Sequence, residues 1–112
     1  MNLKMITCIV HRGHSDKVVK ALVDAGVEGY TIYQGRGLGI HEKQIKLLSY
    51  TVEPPKEVIF SIVPAEDARM LLKIIEEAAE FEKPGTGMAF IQDVEEVSGI
   101  NHPIQRLKEQ DD

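Results

Sequence analysis

Two segments of helical period, each set between short apolar runs of strand character, leave this chain few ways to fold. The first run, "LKMITCIV" from about Leu3 to Val10, is bounded by polar residues and lacks periodicity of helical length, so it reads as a buried strand. "HRGH" breaks it. Ser15 and Asp16 are then placed to cap "DKVVKALVDAGVEG", in which Val18, Val19, Leu22 and Val23 make one apolar stripe and Gly26 ends the helix. "GYTIYQGRG" is a second strand, rich in β-branched and aromatic residues, and Gly35, Gly37 and Gly39 should bend or loosen its end. The following "IHEKQIKLLSYTVEPP" reads as a long connection of hairpin-like character that stops at Pro54-Pro55.

"KEVIFSIV" is a third strand, and Pro64 separates it from "AEDARMLLKIIEEAAEF". That segment has acids in its first turn and Ala68, Leu71, Leu72, Ile75 and Ala79 at helical spacing, with Met70 also on the core side. "MAFIQDV" supplies a fourth strand, and residues 99–112 form a polar tail. The order strand, helix, strand, strand, helix, strand predicts an α+β fold of ferredoxin-like βαββαβ plan: a four-stranded antiparallel sheet with two helices on one face. A chain of 112 residues supports one such core, expected over residues 1–98. "MITCIV" and "VIFSIV" are apolar at nearly every position, so the sheet face without helices should be covered by self-association.

Composition removes several classes of function. Lys and Arg total 13 against 18 acids, a formal net charge of −5, which argues against a nucleic-acid surface and against binding to anionic membranes. The longest apolar run, Met5 to Val10, is far too short to span a bilayer, and the N-terminus lacks an extended apolar signal region, so a cytoplasmic protein is expected. The single cysteine, Cys8, lies in mid-strand and reads as a small buried hydrophobe.

"EKPGTGMAF", Glu82 to Phe90, is the stretch that bears on chemistry. Backbone N–H groups can approach an anion only where side chains do not intervene, and Gly85 and Gly87 provide that. A bare G-x-G ahead of a strand is equally a tight turn, and the residues alone leave both readings open. "GRGLG" after strand two and "PPKE" at the start of strand three fall at edges that this plan can bring near the glycine loop of a neighbouring chain.

"VVKALVDAGVEGYTIYQGRGLG", "PKEVIFSIVP" and "EKPGTGMAFIQDVEEV" together resemble the PII signal-transduction family, over about residues 3 to 98. The resemblance implies a homotrimer of ferredoxin-like subunits that binds an adenine nucleotide (ATP, ADP or AMP) in clefts between subunits. Gly29, Tyr30 and Thr31 then match the strand segment near the adenine, with the Thr31 hydroxyl as the polar contact. Gly37, Leu38 and Gly39 match the segment leading into the T-loop, here about residues 39–54. Lys56 resembles a phosphate contact, and Pro84, Gly85, Thr86 and Gly87, with Met88 after them, match the phosphate-holding B-loop. The target implied is a membrane transporter or a metabolic enzyme.

The chain also departs from that pattern. His41 stands at the position of the T-loop glutamine tied to magnesium and 2-oxoglutarate, Met88 at that of the B-loop lysine, and Gly99 and Asn101 at those of two C-terminal arginines. Each charge-assisted phosphate contact contributes about 1.5 to 3 kcal/mol, so their loss should weaken triphosphate binding unless Arg12, Arg36 or Lys83 substitutes. The T-loop is shorter than usual for the family, and Tyr50 near its base reads as packing, not as a modification site.

The rival readings are a metal-binding trimer similar to CutA proteins and an enzyme. His11, His14, His41 and His102 invite the first, although no Cys or clustered acid completes a ligand set. Arg12 sits where acylphosphatases carry an arginine, but the glycine-rich loop that should surround it is missing, and no Ser/His/Asp or Cys/His arrangement is in evidence. The expectation is therefore a regulator, not an enzyme and not a metalloprotein.

Overall fold

The computed structural model describes residues 2–39, 45–47 and 50–100; the side chains of 45–47 and 50–52 lie outside that description. Strand β1 spans Leu3–His11, helix α1 Ser15–Asp24 and strand β2 Thr31–Arg36. A small hairpin follows, β3 (Ile45–Leu47) with β4 (Tyr50–Val52), and then the long strand β5 (Pro55–Pro64). A single 3₁₀ turn over Ala65–Asp67 leads into α2 (Ala68–Ala78), and β6 (Gly87–Val94) closes the fold. The sheet order is β2-β5-β1-β6 with every neighbouring pair antiparallel, which is the expected ferredoxin-like α+β arrangement.

Strand alternation sorts the sheet into two faces. Ile6, Cys8 and Val10 of β1 and Ile59 and Val63 of β5 point to the helices, where they meet Val18 and Leu22 of α1 and Ala68, Leu71 and Ile75 of α2. Burying a side chain such as Ile75 contributes about 1.5 to 3 kcal/mol, so this one cluster accounts for most of the cohesion. Cys8 is 1% exposed, and burial pushes its thiol up to about 12, which removes it as a nucleophile.

The opposite face carries Met5, Thr7 and Ile9, Val58, Phe60 and Ile62, and Met88 and Phe90. Thr7 is buried there because Phe60 and Phe90 flank it on the two neighbouring strands, while the apolar residues around it stay half-buried or exposed. Among the described residues no helix covers this face. Tyr33 of β2 adds an edge-on ring contact with Phe60 at 6.1 Å.

Both helices end in a left-handed residue, but not the same kind. Gly26 (φ 106) ends α1, with the Gly26 N–H donating to the Val23 carbonyl and the Val27 N–H to the Leu22 carbonyl, both at 3.0 Å. In α2 the matching position is Glu80 (φ 58), and the Phe81 N–H donates to the Glu76 carbonyl at 3.0 Å. An identical cap geometry is thus built once on glycine and once on a strained glutamate.

Several local expectations need correction. Ser15 and Asp16 do not cap α1 through their side chains. His14 holds the N-cap position without a side-chain cap bond, and the job passes to Glu57 of β5, as described below. The second helix is preceded by a 3₁₀ turn over Ala65–Asp67, so its α-helical part starts at Ala68. Gly35 sits inside β2, paired with Lys56, rather than loosening its end. The hairpin character of the long connection is realised by β3 and β4, paired from Ile45↔Val52 to Leu47↔Tyr50.

Candidate functional site

One end of the sheet gathers most of the residues singled out for binding. Lys56 pairs with His11 of β1 on one side and Gly35 of β2 on the other, and Arg36 pairs with Pro55. Gly87 pairs with Val10 at the same end, across β1. Two bonds extend the ladder beyond the strands: the Arg12 N–H donates to the Pro55 carbonyl and the Gly37 N–H to the Pro54 carbonyl, each at 3.2 Å. Gly37, Leu38 and Gly39 therefore leave from one edge strand, β2, while Pro84 to Met88 feed the opposite edge strand, β6, at the same end.

The glycine loop is tied down at three points. The Thr86 hydroxyl meets the Glu80 carbonyl at 3.1 Å and the Lys83 carbonyl at 3.0 Å, so it staples the loop internally. His11 Nε2 lies 2.9 Å from the Gly85 carbonyl, and since a carbonyl only accepts, that ring nitrogen carries the proton. Gly87 (φ 146) is required by sterics: a Cβ there would overlap the Ile9 carbonyl oxygen and crowd Phe81 and Val10 at 3.2 Å. Gly85 (φ 80) has open space where its Cβ would stand, so its constraint is conformational only. Met88 is 55% exposed beside this loop.

Charges around the loop are largely matched among themselves. Glu80 holds Lys83 at 2.7 Å and Lys17 at 3.3 Å, and Lys83, foremost through its hydrogen bond, keeps the Glu80 carboxyl below the usual carboxylate range. Lys83, expected to stand in for a missing phosphate contact, is thus committed to Glu80. Arg12 lies close enough to Glu57 to help lower its carboxyl pKa, though the Ser15 hydroxyl bond is the larger cause and the Gly13 and Ser15 amides add to it. Those amides donate to Glu57 Oε1 at 2.9 and 3.2 Å, so the N-terminus of α1 is occupied by the chain's own carboxylate and is not open to an outside anion. Arg36 is exposed at the end of β2.

Gly29, Tyr30 and Thr31 sit apart, further along the same edge. Thr31 pairs with Phe60, four residues up β5 from Lys56, a separation of roughly 13 Å at about 3.3 Å per residue. Thr31 is exposed, and the Gly29 carbonyl is fixed by the Ser61 hydroxyl at 2.5 Å. His41, Asn101 and His102 fall outside the described residues, as does the side chain of Tyr50; Gly99 is described and has φ 100. His11 and His14 stack edge-on at 6.5 Å, but among the described residues no three His, Cys, Asp or Glu side chains are grouped to hold a metal ion.

His11, Glu57, Ser61 and Glu80 were not distinguishable as site-builders in the sequence. Each acts on a residue remote along the chain or through a backbone atom, so spacing carries no signal of it. Only the left-handed exit of α2 leaves a local hint, since a helix whose stripe ends at Ala79 without a following glycine must find another residue for that conformation.

Comparison with known proteins agrees with this fold. Residues 3–102 match the family model for nitrogen regulatory protein P-II. The nitrogen regulatory protein P-II of Pasteurella multocida (strain Pm70) is 31% identical over 102 residues, covering 88% of this chain and 91% of that one. The counterpart from Rhizobium meliloti (strain 1021) is 29% identical over the same 88% and 91%. A nitrogen fixation nifHD region GlnB-like protein 1 from Methanobacterium ivanovii is 35% identical over 95 residues, 84% of this chain and 90% of its own. Among solved structures, Arabidopsis thaliana PII bound to citrate superposes with a TM-score of 0.66 at 22% identity, over 83% of this chain and 78% of that chain, a likeness of fold. A small α+β domain of ferredoxin-like plan is the class that the fold defines. The chain belongs to the nitrogen regulatory protein P-II family, whose members are signal-transduction regulators and not enzymes.

Proposed function

We propose that three copies of the chain associate through their uncovered sheet faces and that each junction binds an adenine nucleotide, which sets the conformation of the T-loop, about residues 39–54. The observation that carries this reading is the placement of two ligand-suited segments at one end of the sheet but on opposite edges, Arg36 to Gly39 leaving β2 and Gly85 to Met88 entering β6, with Lys56 at the same end on the interior strand β5. Within one subunit the intervening strands hold them apart. Packing of the open faces around a common axis sets the β2 edge of one copy beside the β6 edge of its neighbour and brings them together. Lys56 then meets phosphate, the amides of Gly85, Thr86 and Gly87 complete the cradle, and Thr31 meets the base, with Gly29 and Tyr30 beside it and Pro84 and Met88 at the rim. The separation of Thr31 from Lys56 along the strand suits a ligand extended along the edge better than a compact one.

A nucleotide that contacts one state of residues 37–39 better than another shifts the loop they lead into, and the loop in turn engages or releases a target. By family, that target is a membrane transporter or a metabolic enzyme, and the protein works in the cytoplasm. Among the described residues no helix is long and apolar enough to cross a membrane. Isothermal titration of ATP, ADP and AMP into the full chain and into Lys56→Ala tests the reading. Loss of one charge-assisted contact should weaken the preferred nucleotide roughly ten- to hundredfold. Equal affinity in the two proteins would remove Lys56 from the cleft. Gly87→Ala is unsuitable for this purpose, since its Cβ collides with β1 whether or not a ligand binds there.

A further inference from the structure

We infer that His11 is the positioning residue of the glycine loop: by holding the Gly85 carbonyl it aims the Thr86 amide away from the sheet, toward the ligand. The inference rests on the nucleotide reading for the identity of the ligand, but its structural half stands on two observations. His11 is the last residue of β1, half-buried, with Nε2 2.9 Å from the Gly85 oxygen. The carbonyl of one residue and the N–H of the next lie in one plane and point in opposite directions across a trans peptide. Fixing the Gly85 oxygen toward His11 therefore fixes the Thr86 N–H in the opposing sense, away from β1 and outward.

Something must fix it. Gly85 has φ 80, carries no side chain, and has no neighbour within 4 Å of where its Cβ would stand, so nothing at that position opposes rotation of the peptide between Gly85 and Thr86. A rotated peptide would present a carbonyl oxygen to the ligand where the native one presents a donor, which repels phosphate rather than binding it. The Thr86 hydroxyl, bonded to the Glu80 and Lys83 carbonyls, anchors the Thr86 side chain, whereas His11 holds the Gly85 carbonyl of the peptide itself. His11 thus acts on the ligand through the backbone, without touching it.

The test compares the full chain with His11→Leu, which has no donor, and His11→Gln, whose amide can still donate. Two readouts are used: the ¹H–¹⁵N resonance of Thr86 in the protein without ligand, and ADP affinity by titration calorimetry. In His11→Leu the Thr86 and Gly87 amide signals should broaden or split, the rest of the spectrum should stay native, and ADP should bind roughly tenfold more weakly, the worth of about one hydrogen bond. His11→Gln should recover a single Thr86 signal and most of the affinity. A sharp, unshifted Thr86 signal with unchanged ADP affinity in His11→Leu overturns the inference, as does a glutamine variant as impaired as leucine. If the wild-type chain takes no ADP while Lys56→Ala behaves identically, the nucleotide reading fails by itself, and the Thr86 signal still decides the role of His11.

Discussion

At position 87 a side chain is excluded because the backbone of β1 passes too close, and at position 85 glycine is favoured because the backbone turns left-handed in open space. The two glycines of one short loop are therefore there for different reasons. Glu80 shows the converse, a residue with a Cβ placed in a left-handed conformation where α1 uses Gly26. Its ion pairs to Lys17 and Lys83 are solvent-exposed and offset little of that strain. Glu80→Gly should accordingly raise the melting temperature by a few degrees, read by differential scanning calorimetry. A fall would mean that the two lysine contacts stabilise the loop more than the backbone is strained. None of this was legible in the sequence at residue resolution. "PGTG" announces a turn or a cradle, but which glycine answers to sterics and which to conformation depends on what passes beside it.

Helix α1 begins under the control of a strand more than forty residues away. Glu57 accepts from the Gly13 and Ser15 amides, replacing the local cap that Ser15 or Asp16 would have made. Its carboxyl is held below its ordinary value of 4.5, first by the Ser15 hydroxyl bond. A carboxylate lowered in the folded state contributes stability that is present above its unfolded pKa and is lost as the pH falls through its folded one. Glu57→Ala should therefore cost about 1 kcal/mol at pH 7, as for other lost helix caps. In urea unfolding the gap to wild type should narrow as the pH drops below about 4. A gap of equal size at both pH values would show that packing, not the charged cap, is what the alanine removes. Elements of clear period were legible: the stripes of α1 and α2 and the apolar runs of β1 and β5 appear as expected, except that Val23 of the α1 stripe is exposed. Their boundaries were less so, because a 3₁₀ turn precedes α2 and the cap of α1 comes from a distant strand, neither of which is a matter of period.

On the scale of the molecule, the sheet has one face sealed by helices and one left apolar and open, and the segments suited to a ligand lie at one end on opposite edges. The run of apolar residues in "MITCIV" and "VIFSIV" made the open face legible, since a strand buried on one side only would alternate. That Lys56, His11 and Gly85 come to one end was not, as it follows from sheet order rather than from any spacing along the chain. On the proposed reading assembly is the condition for binding, since within one subunit β5 and β1 stand between the β2 edge, where residues 37–39 leave, and the glycine loop that feeds β6. Native mass spectrometry of the full chain titrated with ADP measures both at once. The account predicts a trimer that takes up as many as three nucleotides, with no nucleotide on any monomer. Monomer as the dominant species, or a trimer that stays bare at saturating ADP, would contradict it.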